Sequence, residues 1–140
     1  MENCIFCKII AGDIPGHVLY EDDHVLVFLD ISQTTKGHTL VIPKLHRVDV
    51  FEMKPHEMEK IFSIVPKIAT ILKEAFGCTG LNVVNNNGES AGQTVFHYHV
   101  HLIPRYGNDG FGIRFANNMR NYDHAALAEL RHHIVKSLEA

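Results

Sequence analysis

Three histidines alternate with apolar residues in the run Phe96-His97-Tyr98-His99-Val100-His101-Leu102-Ile103. Side chains of an extended strand point to opposite faces in turn. His97, His99 and His101 are therefore expected to share one face, over about 13 Å, while Tyr98, Val100 and Leu102 take the core face. A line of imidazoles suits two chemistries. Two or three rings can ligate a metal, or one neutral ring can attack as a nucleophile while its neighbours hold an anionic substrate. The rings are useful neutral, when each has one donor and one acceptor nitrogen, whereas three protonated rings would repel one another. A histidine-rich strand simply facing water is the reading without function. The stretch before the run, Asn85 to Thr94, holds three consecutive Asn, two Gly, Gln93 and Thr94. Such a loop can present backbone N–H groups to a phosphate. It lacks the lysine of a nucleotide-binding P-loop, and a plain turn would look similar.

A second candidate lies near the start. Cys4 and Cys7 form a Cys-x2-Cys pair, half of a tetrahedral zinc site. Two free thiols on a helix turn would have the same spacing. A redox role is disfavoured because the pair does not sit in a βαβ setting. Cys78 stands alone after the longest helix and is expected to be buried. Of the eleven histidines, His17, His24, His56, His124, His132 and His133 read as surface residues.

The elements that must carry these groups follow from apolar periodicity. Residues 4–11 suit a short helix, ended by Gly12 and Pro15. Residues 18–30 read as two strands around a turn at residues 21–23. Residues 38–43 form another strand, stopped by Pro43. Residues 55–76 repeat apolar side chains at i, i+3, i+4 and i+7, the mark of a helix, with Pro66 expected to kink or divide it. Residues 81–85 and 95–103 read as strands and 105–121 as a Gly/Asn-rich loop. Asp123 can cap a last helix over 124–138. Five strands joined mostly by turns, with segregated helices, indicate an α+β fold with a mostly antiparallel sheet. At 140 residues and 46% hydrophobic, residues 1–140 suit one domain with one core.

Composition excludes several partners. A formal charge of −3 and no Lys/Arg run give no footprint for nucleic acid. No apolar stretch approaches the ~20 residues of a membrane span. The opening MENCIFCKII has no basic segment ahead of an apolar one, so it does not read as a signal peptide, and a cytoplasmic setting is expected.

The run His97-Tyr98-His99-Val100-His101-Leu102-Ile103 resembles the His-φ-His-φ-His-φ-φ signature of the histidine-triad (HIT) family. The resemblance extends over nearly the whole chain, through residues 4–10, 28–31, 37–43, 85–94 and Pro104-Arg105-Tyr106. It is strongest to the bacterial Hit proteins, as found in Bacillus, in the branch with the histidine-triad nucleotide-binding proteins. It implies a five-stranded sheet with two main helices, a homodimer, and a nucleotide hydrolase or nucleotidyl transferase. The implied substrates are conjugates of purine nucleoside monophosphates, AMP or GMP, cleaved through a covalent nucleotidyl-histidine. By the same resemblance His99 is the nucleophile, and His97, His101 and His38 complete the catalytic histidines. His101 and Gln93 would contact phosphate oxygens, and Thr94 the leaving atom. Asp30 would hold the ribose hydroxyls, and Phe6, Ile9, Leu29 and Ile31 the base. Asn85 would line the phosphate side. The resemblance also supplies His46 and His97 as the missing partners of Cys4 and Cys7 in a structural zinc site. Three activities remain open: a phosphoramidase cleaving P–N bonds, a dinucleoside polyphosphate hydrolase, and a non-catalytic nucleotide-binding regulator. The leaving-group pocket is expected in residues 105–121 and at the dimer interface.

Overall fold

The computed structural model describes residues 3–140. Helix α1 (Ile5–Ala11) comes first, followed by strands β1 (Val18–Glu21), β2 (Val25–Leu29) and β3 (Thr39–Pro43). Helix α2 (Pro55–Phe76), β4 (Gly80–Val84), β5 (Val100–Arg105) and helix α3 (His124–Glu139) complete the order. The strands form one sheet in the order β1-β2-β3-β5-β4, and every neighbouring pair is antiparallel. The two faces are covered differently. On one, Val25, Val27, Val41, Tyr98, Val100 and Leu102 pack under Ile61, Ile64, Val65, Ile68 and Leu72 of α2. On the other, Leu26, Phe28, Leu40 and Ile42 pack against Phe6 of α1.

Helix α2 is not divided at Pro66, contrary to the expectation from sequence. Pro66 lies on the exposed side, where water can satisfy the carbonyl four residues back that has lost its N–H partner. Four buried aliphatic residues on the opposite stripe (Ile61, Ile64, Val65 and Ile68) hold the helix on the sheet across that point.

The strand that carries the histidines begins later than its sequence suggests. Regular pairing starts at Val100, not at residue 95. Two causes are visible. Strand β3 ends at Pro43, which has no N–H for a ladder. Strand β4 ends at Val84, opposite His101. Residues 97–99 are therefore held by other bonds: the Tyr98 N–H donates to the Arg47 carbonyl at 2.6 Å, and the Asn85 side-chain amide donates to the His99 carbonyl at 2.9 Å. Alternation nonetheless survives, because Tyr98, Val100 and Leu102 all enter the core under α2.

Gly37 fixes the approach to β3. It has φ 93°, and a Cβ there would lie 2.9 Å from the Phe76 ring at the end of α2. Only glycine meets both demands. Helix α3 is capped by Asp123, whose carboxylate accepts the Ala126 N–H, as its sequence predicts. None of its residues is buried.

Glu57 ties α2 to the segment between β3 and that helix. It accepts two hydrogen bonds from the Arg47 guanidinium, at 3.0 and 2.7 Å, and one from the Lys54 N–H at 2.9 Å. These bonds, Arg47 first, hold its carboxyl down at about 2, against an ordinary 4.5. A depressed carboxylate stabilises fully above its unfolded pKa and loses that contribution as pH falls toward the folded value. We expect Glu57→Gln to lower Tm by roughly 3–8 °C at pH 7 and to lose less stability than the parent between pH 4.5 and 2. Thermal melts followed by circular dichroism across that range check this, and equal pH slopes in the two chains would disprove it.

Candidate active site

The hydrogen bonds assign a tautomer to each of four imidazoles. His99 Nδ1 lies 2.7 Å from the His97 carbonyl. A carbonyl only accepts, so Nδ1 carries the proton and Nε2 keeps its lone pair. His97 Nε2 faces the Pro43 carbonyl at 2.8 Å, which leaves its Nδ1 unprotonated. His38 Nδ1 accepts the Thr34 N–H at 3.2 Å, so its Nε2–H donates to His101 Nδ1 at 2.9 Å. His101 must then carry its proton on Nε2. The result is an acceptor nitrogen on His99 and a donor nitrogen on His101, with ring centroids 4.9 Å apart.

Burial keeps these rings neutral. It pushes His99 and His38 below the ordinary histidine value, and pushes His97 and His101 down to about 4. Asp30 behaves oppositely. Burial raises its carboxyl, but hydrogen bonds from the Ser32 hydroxyl and N–H to Oδ1 outweigh this and leave it below the usual carboxylate range. Its Oδ2 stands 3.6 Å from His38 Nε2.

The wall beside His99 is aromatic. The Phe6 ring meets His99 edge to face at 5.2 Å and His97 at 5.9 Å. Phe6 is buried, Ile9 and Leu29 are half-buried, and Ile31 is 92% exposed. Phe6 and Ile9 pack in the cluster that covers this face of the sheet.

Three other expected residues have assignments of their own. Gln93 is buried, and its amide is used internally: Oε1 accepts the Gly88 N–H, and Nε2 donates to the carbonyls of Val48 and Val95. It staples the Asn/Gly loop to its surroundings. Asn85 supports the His99 carbonyl and accepts from the Asn87 amide. Thr94 is exposed and lines a cavity of about 630 Å³ together with Ile5, His46, Val48, Val95 and Phe96. That cavity lies away from residues 105–121, where the leaving-group pocket is expected from sequence.

Gln33 and Thr34 are positioning residues that the sequence gave no reason to select. Gln33 adopts φ 43°, unusual for a residue with a Cβ. Three side-chain bonds over-determine it: Nε2 donates to the carbonyls of Asp30 and His38, and Oε1 accepts the Gly37 N–H. It thus fixes the distance between Asp30 and His38. A polar residue in a polar loop carries no periodic signal that could have singled it out.

Cys4, Cys7, His46 and His97 meet beside the triad. Their donor atoms all lie within 4.8 Å of one another. Cys4 Sγ is 3.3 Å from His97 Nδ1, and Cys7 Sγ is 3.3 Å from His46 Nδ1 and 3.6 Å from His97 Nδ1. Tetrahedral zinc with ordinary bond lengths separates a sulfur and a nitrogen ligand by about 3.6 Å. The donor set therefore fits zinc in chemistry and spacing. The Pro43 carbonyl on His97 Nε2–H supplies the outer hydrogen bond that turns Nδ1 toward a metal. Burial, and then the Cys4 thiol, push the Cys7 thiol up, and a dication would reverse that shift. All three cysteines are free, and Cys78 is buried as expected. The six histidines read as surface residues are exposed.

No helix among the described residues is long and apolar enough to cross a membrane. The HIT domain family model matches residues 11–108. The chain is 56% identical over 138 residues to the protein Hit of Bacillus subtilis, covering 98% of this chain and 95% of that one. It is 44% identical over 107 residues to the adenylylsulfatase HINT3 of Arabidopsis thaliana, covering 76% of this chain and 54% of the plant protein. A HIT family protein from Bacillus anthracis superposes with TM-score 0.93 at 55% identity, over 97% of each chain. The histidine triad nucleotide-binding protein of Candida albicans superposes at 0.88 with 34% identity, over 98% of each. A zinc-bound histidine triad family protein from Mycobacterium smegmatis gives 0.76 at 38% identity, over 94% of this chain and 97% of that one. With a family match over more than half of its length and relatives that agree along nearly all of it, the chain belongs to the histidine-triad (HIT) family.

Proposed function

We propose that this chain is a nucleotide hydrolase or nucleotidyl transferase acting on purine nucleoside monophosphate conjugates, AMP- or GMP-linked amines first among them. One observation carries the reading: His99 is neutral, with Nδ1–H fixed on the His97 carbonyl and Nε2 left with its lone pair. A phosphodiester anion repels an anionic nucleophile, and an uncharged imidazole avoids that cost. Nε2 of His99 attacks the α-phosphorus and forms a P–N bond. The bond from phosphorus to the substrate amine breaks, and the amine departs with a proton. Water then attacks the same phosphorus, the P–Nε2 bond breaks, and the nucleoside monophosphate leaves.

The surrounding groups have complementary roles. The His101 Nε2–H, fixed through the His38 and Thr34 hydrogen bonds, donates to a non-bridging oxygen as charge develops there. Asp30 Oδ2 accepts from the ribose hydroxyls, while Oδ1 is held by Ser32. Phe6, Ile9, Leu29 and Ile31 contact the base, and Thr94 faces the leaving atom. Gln93 and Asn85 act through the loop and the His99 carbonyl, since their amides are already engaged. The plant relative is named for an adenylyl conjugate with sulfate, and the Candida relative for nucleotide binding; both support an adenylyl-transfer reading. Zinc at Cys4, Cys7, His46 and His97 closes a structural site that pins α1 to the triad. The zinc-bound mycobacterial relative supports this.

The chain acts as one domain over residues 1–140 and as a homodimer in the cytoplasm. The apolar residues Leu127, Leu130, Ile134 and Leu138 of α3 are all at least 47% exposed, a face that a second copy would cover. Free thiols suit a reducing compartment.

Three outcomes are expected. Adenosine phosphoramidate should release AMP faster than diadenosine polyphosphates do, and His99→Ala should reduce turnover by at least about a thousandfold while AMP still binds. Chromatographic assay of AMP checks both: a faster polyphosphate reaction would favour the P–O–P activity, AMP binding with no turnover of either would favour the regulator, and an unimpaired variant would remove His99 as nucleophile. Elemental analysis of unchelated protein should find about one zinc per chain, and its absence would refute the metal assignment. Light scattering should give twice the 15.8 kDa chain mass; a monomer at micromolar concentration would refute the dimer.

A further inference from the structure

His97 belongs to two constellations at once. Its ring Nδ1 faces Cys4 and Cys7 at 3.3 and 3.6 Å. Its main-chain carbonyl takes the Nδ1–H of His99 at 2.7 Å. The residue is fully buried. Its backbone lies outside the sheet, because regular pairing begins only at Val100. No ladder therefore fixes the carbonyl that sets the nucleophile's tautomer. The ring of His97, held by the thiols on one nitrogen and by the Pro43 carbonyl on the other, performs that task.

A second contact joins the same two places. Cys4 caps α1, where its sulfur accepts the Cys7 N–H at 3.3 Å. Phe6 lies between these cysteines in sequence, and its ring flanks His99 at 5.2 Å. Whatever clamps Cys4 and Cys7 to His97 and His46 also presses Phe6 against the nucleophile's ring.

We infer that the Cys4–Cys7–His46–His97 cluster positions the nucleophile: metal ligation there holds the His97 carbonyl and Phe6 in place, and so fixes the tautomer and aim of His99. This rests on the reading of His99 as nucleophile and of the cluster as a zinc site. His97 and His46 are positioning residues in this role, since neither touches the reacting phosphorus. Loss of the metal would leave Asp30, His38 and His101 where they are, because their bonds run through Gln33, Thr34 and Ser32. Nucleotide affinity should survive while the chemical step slows.

The test uses the full chain in three forms: zinc-loaded, chelated, and carrying His46→Asn, which removes a half-exposed ligand and leaves the buried His97 intact. Long-range proton–nitrogen NMR reads the His99 ring directly. The zinc-loaded chain should show a single Nδ1–H tautomer. The other two forms should show exchange between tautomers, with kcat for adenosine phosphoramidate down by about tenfold or more and KM changed less than about threefold. Zinc added back to the chelated chain should restore both readings. A metal-free chain that keeps one tautomer and its kcat would overturn the inference, as would a chain that takes up no zinc. Loss of activity that merely tracks loss of the folded circular dichroism signal would overturn it too. If the hydrolase reading is what fails, the mark is different: no form turns over, yet the His99 tautomer still follows the metal.

Discussion

The catalytic arrangement depends on one hydrogen bond, from His99 Nδ1–H to the carbonyl of His97 two residues earlier. It makes a demand on the backbone. A carbonyl committed to a neighbouring strand is a poor acceptor for a side chain, so the segment must leave the ladder before the nucleophile. Pro43 removes the donor on one side and the end of β4 removes it on the other. The late start of β5 is thus the condition under which the ring can be held by its own chain. Tyr98 N–H and the Asn85 amide then supply the bonds the sheet no longer gives.

Around that bond the polar groups form one directed series. Thr34 N–H points to His38, His38 to His101, and His101 outward. Each ring is neutral because burial disfavours its charge, and neutrality is what allows donor and acceptor ends to be assigned at all. Asp30 is the one anion at this end. Its charge is kept by Ser32 rather than by a counter-cation, which leaves an oxygen available without inviting the histidines to protonate.

Much of this was legible in the sequence, for physical reasons. Alternation marked the imidazole face correctly, and it held even where the strand itself did not, because Tyr98, Val100 and Leu102 needed the core. Helical periodicity gave α2 to the residue. The same rules overstated Pro66, whose local penalty is small when the orphaned carbonyl meets water and four aliphatic side chains grip the sheet. The Cys-x2-Cys pair was visible, but its partners lie 39 and 90 residues beyond Cys7 in sequence, and only the resemblance brought them together. Gln33 and Thr34 stayed hidden, because a loop residue that acts through backbone bonds leaves no pattern of hydrophobicity or spacing. The internal engagement of Gln93 was hidden for the same reason.

Gly37 carries the constraint beyond the pocket. A hydrogen atom occupies the place where any other residue would put a carbon against the Phe76 ring. The contact is mutual: the last residue of α2 has to be flat, and its helix has to stop there, if β3 is to enter at the angle that delivers His38. A position on the outer rim of the molecule, remote from phosphorus chemistry, is therefore not free to drift. Its permitted alphabet is written by the geometry of a histidine it never meets.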